Sequence, residues 1–162
     1  SASPATWTFA ATDGTDYPGV YYAYQADIAL GGGGKNKTTV TMSAIAEAKP
    51  SGGPAETCGK YGGNLYWSHS NITNFLPGLV FLADGHIVAT ANADVGRGVI
   101  AAGDHIDYNT SSSTITGSVI TSNRCAASGT NTMQGVKVLY DATSEVPLST
   151  IVRTTQWLEL AE

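Results

Sequence analysis

The chain has 162 residues, of which 13% are charged and 42% are hydrophobic, and its formal net charge is −5. A single domain over residues 1–162 is the expectation, because a chain of this length can bury a sufficient core. Lys and Arg together number 8, which is too little positive charge to neutralise a phosphate backbone, so no nucleic-acid partner is expected. No apolar run of about 18 residues occurs, and no membrane span is predicted.

The chain start and the cysteines favour an extracellular protein. The sequence opens at Ser1-Ala2-Ser3-Pro4 without a basic or apolar leader, as expected for a mature or excised extracellular domain. Cys58 and Cys125 have no CxxC partner. A disulfide between them would stabilise a secreted domain by about 4 kcal/mol, and two free thiols are the alternative.

Strand patterns recur from the first residues onward. Residues 5–12 alternate apolar and hydroxyl side chains, with Trp7 and Phe9 on one face, as in a half-buried strand. Residues 20–24 and 38–45 are further β-rich runs, separated by the four glycines of residues 31–34. No helix longer than one turn and no repeat of fixed period is evident.

The later segments suggest hairpins. Asp84-Gly85 joins two β-rich runs, residues 79–83 and 86–90, which is the signature of a type I′ turn. Residues 105–108 and 114–121 flank a polar tip and predict a second hairpin. Short strands with Gly, Asn, Asp and Ser turns predict an all-β fold, namely an antiparallel β-sandwich of jelly-roll or immunoglobulin-like form with the Cys58 to Cys125 disulfide.

The segment from residue 61 to residue 71 combines aromatic, amide and hydroxyl side chains. A carbohydrate site needs an aromatic platform for the C–H faces of a sugar and polar groups for its hydroxyls. An aromatic and polar turn near residue 16 is a candidate second wall. The predicted ligand-binding residues are Tyr61, Asn64, Tyr66, Trp67, His69, Asn71, Asp16 and Tyr17. The alternative is that Trp67 points into the core and the polar residues face water.

Three histidines offer a different chemistry. His69, His86 and His105 lie in or beside predicted turns, and Asp104 is adjacent to the last of them. A zinc site needs three or four converging N, O or S ligands, which the fold could supply. Their spacing matches no metal motif on a single element, so solvated turn histidines are the favoured interpretation and no cofactor is predicted.

Residues 97–106, which read Arg-Gly-Val-Ile-Ala-Ala-Gly-Asp-His-Ile, resemble the alanine and glycine turn before a long strand in chaperone–usher pilus subunits and tip-adhesin lectin domains. The resemblance implies a receptor-binding domain at a pilus tip with an elongated sandwich fold, which binds host glycans through loops at one end. It transfers no binding residue to this chain.

The leading functional expectation is an extracellular, non-enzymatic adhesin or carbohydrate-binding domain at a cell surface or pilus tip. Its expected partners are a host or environmental glycan and a pilin domain or other subunits that join through the C-terminus. A structural assembly module, such as a pilin or capsid-like subunit, is the first alternative, since low charge and many Ser and Thr suit packing against copies of itself. A metal-dependent binder or hydrolase that uses His69, His86 and His105 is the second.

Overall fold

The structure is a computed structural model that describes residues 3–11, 15–32, 38–48, 62–68, 70–90, 94–122 and 131–141. Within these ranges the secondary structure is β throughout. The strands are β1 (Ala5–Ala11), β2 (Gly19–Tyr24), β3 (Ala26–Gly32), β4 (Thr38–Glu47), β5 (Leu65–Ser68), β6 (Ser70–Thr73), β7 (Leu79–Ala83), β8 (Ile87–Thr90), β9 (Val95–Ala102), β10 (Ile106–Thr121) and β11 (Thr132–Leu139).

The chain winds into a parallel β-solenoid of about four turns. Each ladder between two named strands is parallel, for example β3 with β5, β5 with β8, and β8 with β10. The predicted antiparallel sandwich, whether jelly-roll or immunoglobulin-like, is therefore wrong. The sandwich fold that the pilus-adhesin resemblance implied falls with it.

One turn of the solenoid, here called a coil, passes through three stacks of strands. Face A contains β1, β3, β5, β8 and the first residues of β10 and β11. Face B contains the start of β4, then β6, the start of β9, the middle of β10 and the end of β11. Face C contains β2, the second half of β4, β7 and the ends of β9 and β10.

The core is built from columns of inward side chains, one residue from each coil. On face A, Ile28, Leu65, Ile87 and Ile106 are paired in register and buried. Because side chains alternate across a strand, the residues between them point outward. Trp67 occupies the next inward column, where its ring meets those of Phe81 and Tyr108 edge to face at centroid distances of 5.4 Å. Its indole N–H donates to the carbonyl oxygen of Ser70 over 2.8 Å.

Both predicted hairpins are wrong, although nearly all the residues assigned to their strands do lie in strands. β7 belongs to face C and β8 to face A, and Asp84-Gly85 forms the corner between them. The corner amides bond to the preceding coil instead of closing a turn, since the N–H of Asp84 donates to Ala46 at 3.0 Å and that of Gly85 to Gly63 at 3.0 Å. Residues 105–121 form one corner residue and the single long strand β10, which bends across all three faces.

Two other expectations concern the disulfide and the membrane. No disulfide is seen in the part of the chain that the structure describes, and Cys58 and Cys125 both lie outside it. No helix long and apolar enough to cross a membrane is found among the described residues.

Candidate metal centre

The candidate site lies at the corner where face C passes into face A. Asp27, Asn64, His86 and His105 occupy the same position in four successive coils. Backbone bonds fix this register: the N–H of Ile28 donates to Asn64, that of Leu65 to His86 and that of Ile87 to His105, over 2.9 to 3.1 Å. The solenoid therefore stacks four polar side chains that the sequence separates widely. We call these four residues the corner column.

Asp27 and Asn64, the first two residues of the corner column, are held together by hydrogen bonds. Asn64 donates from its backbone N–H and from Nδ2 to Oδ1 of Asp27, over 3.0 and 2.9 Å. Its own Oδ1 accepts the backbone N–H of His86 at 3.0 Å. Asn64 thus links three coils, and because it is buried its side chain is not accessible to a ligand.

At His86 and His105, the last two residues of the corner column, a carboxylate lies between the two imidazole rings. Asp104 precedes His105 in the chain, at the register position where the earlier coils have Ala26, Gly63 and Gly85. Its side chain is fully buried, and Oδ2 lies 2.9 Å from Nδ1 of His86 and 2.9 Å from Nδ1 of His105. The two imidazole rings lie against each other with centroids 3.9 Å apart and planes tilted by 44°. A nitrogen from each of two coils therefore converges on one carboxylate.

Burial changes the pKa of the Asp27 carboxyl, which occupies the first position of the corner column. Removal from water raises the pKa of the Asp27 carboxyl, and the hydrogen bonds from Asn64 and the attraction of His86 oppose part of that rise. Tyr66 lies on the outward side of face A close by. Burial, followed by the charge of Asp27, raises the pKa of its phenol.

The spacing of His86, Asp104 and His105 suits a divalent metal ion. One ligand atom from each of His86, Asp104 and His105 lies within 4.8 Å of the other two. Zinc bonds of 2.0–2.2 Å in tetrahedral geometry place ligand atoms roughly 3.4 Å apart, so small side-chain rotations would admit an ion. Imidazole nitrogen and carboxylate oxygen are common ligands of zinc and other first-row metals. A cation would also offset the negative charge of a fully buried carboxylate.

The predicted carbohydrate wall is dispersed by the fold. Trp67 is a core residue and Asn64 is a buried structural amide, so neither faces a ligand. Tyr66, between them in sequence, points outward and is 38% exposed. Alternation in β5 places Tyr66 and Trp67 on opposite sides of the sheet. Asn64 precedes the strand, and its hydrogen bonds to Asp27 and His86 hold it inside the corner.

Three other residues predicted to bind a ligand, Asn71, Asp16 and Tyr17, make contacts within the fold. Oδ1 of Asn71 accepts the N–H of Asp94 at 3.2 Å, in the next coil. Oδ1 of Asp16 accepts the N–H of Thr41 at 2.5 Å, and this bond lowers the pKa of the Asp16 carboxyl. Tyr17 packs against Phe9 at a ring-centroid distance of 5.2 Å. Tyr61 and His69 lie outside the described residues.

Of the predicted metal ligands, the structure brings His86 and His105 together. The sequence carries a signal for this pair, since residues 83–87 read Ala-Asp-Gly-His-Ile and residues 102–106 read Ala-Gly-Asp-His-Ile. Two similar segments that both end in His-Ile mark the same corner of successive coils. Because no repeat was expected, the two segments were not compared. Asp27 was missed because nothing in the sequence places it near a histidine.

The fold and the site together define a parallel β-solenoid with a histidine and carboxylate cluster on one corner. Comparisons of the chain with protein-family models, curated proteins and solved structures found no match.

Proposed function

We propose that this protein binds a divalent first-row transition-metal ion through Nδ1 of His86, a carboxylate oxygen of Asp104 and Nδ1 of His105. The observation that carries the proposal is that one ligand atom from each residue lies within 4.8 Å of the other two, and both Nδ1 atoms lie 2.9 Å from Oδ2 of Asp104. Three protein ligands leave at least one coordination position for water or for a partner's ligand. The proposed function is binding.

The backbone supports the proposed site with a rigid frame. His86 and His105 are joined through the hydrogen bond from the Ile87 N–H to the His105 carbonyl, which measures 3.1 Å. Asn64 fixes the backbone of His86 from the other side. Because these backbone hydrogen bonds hold the corner residues in register before any ion binds, little ordering cost accompanies metal binding.

Isothermal titration with Zn²⁺ tests the proposal. We expect one ion per chain in the wild type, and a loss of affinity of more than about tenfold for either His86→Ala or His105→Ala, since each removes a direct ligand. His69→Ala is the matched control, because it removes the remaining histidine of the chain and none of the three proposed ligands. Circular dichroism verifies that each variant is folded.

Equal zinc affinity in the wild type and in both cluster variants would contradict the proposed site. So would a loss of binding in His69→Ala, which would place the ion elsewhere. A folded wild-type protein that takes up no zinc would contradict the proposed function itself.

A second proposal is carbohydrate binding on the outward side of face A. It is favoured by the exposed ring of Tyr66, which lies beside the corner column and shares its outward column with Val88 and Asp107. An exposed aromatic ring suits the C–H face of a neutral, hydroxyl-rich ligand, and the carboxylate of Asp107 lies two coils away in the same column. An extracellular adhesin role, as the pilus-adhesin resemblance suggested, belongs to this proposal.

Glycan-array binding of the wild type and Tyr66→Ala tests the second proposal. We expect the substitution to remove most of the signal, because it deletes the aromatic platform. Tyr24→Ala is the control, since Tyr24 is an exposed tyrosine on face C. Absence of glycan binding by the wild type, or equal binding by Tyr66→Ala, would overturn it.

A further inference from the structure

The two ends of the solenoid expose side chains that belong to the inward columns. Trp7 shares its register position with the buried Ile28 but is 47% exposed. At the other end, Met133 shares its position with the buried Tyr108 and is 41% exposed. Val138, in register with the buried Ile115, is 45% exposed. These residues face solvent because no described coil stacks beyond β1 or beyond β11.

Within the described part of the chain, each terminal strand has a neighbouring strand on one side only. There, β1 pairs with β3 and β11 pairs with β10, and each has one partner. Native edges are commonly protected by charged residues, proline or bulges, because an open edge invites another strand. Ala5–Ala11 contains no charged residue and no proline, and Thr132–Leu139 contains a single charge, Lys137. Both ends therefore combine an apolar surface with an edge that carries little charge, and the β10–β11 ladder has one irregularity, between Asn109 and Ser113.

We infer that the protein assembles head to tail, with β11 of one copy adding to β1 of the next. The parallel sense required for this contact is the one that already joins β1 to β3 and β10 to β11. The same register would place Met133 of one copy against Phe9 of the following copy, because both belong to one inward column. The contact between copies thus continues the stacking within each copy.

Such a contact joins two different surfaces of the molecule. A heterologous interface whose operation is a translation along the solenoid axis does not close, and it produces a linear filament. Solenoid proteins need terminal caps for solubility because an uncapped end exposes the core. In the filament each end is capped by a neighbouring copy.

Sedimentation velocity of the full chain over a wide concentration range tests the inference. We expect the wild type to form species that grow with concentration, and Trp7→Lys and Met133→Lys each to remain monomeric. An equimolar mixture of the two variants should form dimers and nothing larger, because each variant retains one intact end. Ile120→Lys is the control, since Ile120 is 50% exposed on the side of the solenoid and should leave filament growth unchanged.

A wild type that stays monomeric at every concentration would overturn the inference, because the ends would then be covered within one chain. Dimers formed by either end variant alone would also overturn it, since they require contact between like ends. Loss of assembly in Ile120→Lys would place the interface on face C. Thermal unfolding monitored by circular dichroism verifies that the lysine variants are folded.

Discussion

Gly117→Ala is expected to destabilise the protein by at least about 3 kcal/mol. Gly117 lies in β10 where the chain passes from face B to face C, and it pairs in register with Gly98 of the preceding coil. Its φ is +139°, and a Cβ added there would lie 1.9 Å from the carbonyl oxygen of Gly98. Because the obstacle is backbone, no side-chain rotation relieves the contact, and the two coils must separate.

Urea unfolding followed by circular dichroism measures this loss, and Gly31→Ala is the matched control. Gly31 is also a strand glycine, but a Cβ added there meets no atom within 4 Å. We expect the control to change the free energy of unfolding by less than about 1 kcal/mol. Similar stabilities for the two alanine variants would contradict the close stacking of the coils at this corner.

Trp67→Ala is expected to cost about 3–5 kcal/mol, the usual range for deletion of a buried aromatic side chain. Trp67 packs against Phe81, on face C of its own coil, and against Tyr108 of a later coil, and its N–H donates to the carbonyl oxygen of Ser70. Tyr66→Ala, one residue earlier, should cost less than about 1 kcal/mol because that ring points outward.

Chemical unfolding of the two variants compares neighbouring residues in one strand. A large difference between them would support the inward position of Trp67, and it would separate the core residue from the residue proposed to contact a ligand. If the Trp67 variant is as stable as the Tyr66 variant, the tryptophan does not lie in the core.

The sequence predicted the strands but not how they pair. Alternation in residues 5–12 places Trp7 and Phe9 on one face whether the neighbouring strand is parallel or antiparallel, so the pattern is the same in a sandwich and in a solenoid. The dipeptide Asp84-Gly85 suits a sharp change of direction of either kind. Its backbone hydrogen bonds to Ala46 and Gly63 in the preceding coil make it a solenoid corner and not a hairpin turn. Those partners are distant in sequence.

For the site, too, the sequence supplied candidate residues but not which of them lie together. His86 and His105 were both candidate metal ligands, yet 19 positions separate them in the chain. Only the parallel register places the two rings in contact, with Asp104 between their Nδ1 atoms. Asn64 and Trp67 were assigned to a carbohydrate wall because residue type alone does not tell that Asn64 is buried at a corner and that Trp67 points inward from β5.

Anomalous diffraction from zinc-soaked crystals tests the central claim most directly. Data collected on either side of the zinc absorption edge locate the ion without reference to any assumed ligand. We predict one strong anomalous peak per chain, bounded by His86, Asp104 and His105 at zinc-to-ligand distances of about 2.0–2.2 Å. A peak at other residues, or a cluster that retains its direct carboxylate-to-imidazole contacts with no peak beside it, would contradict the proposed metal centre.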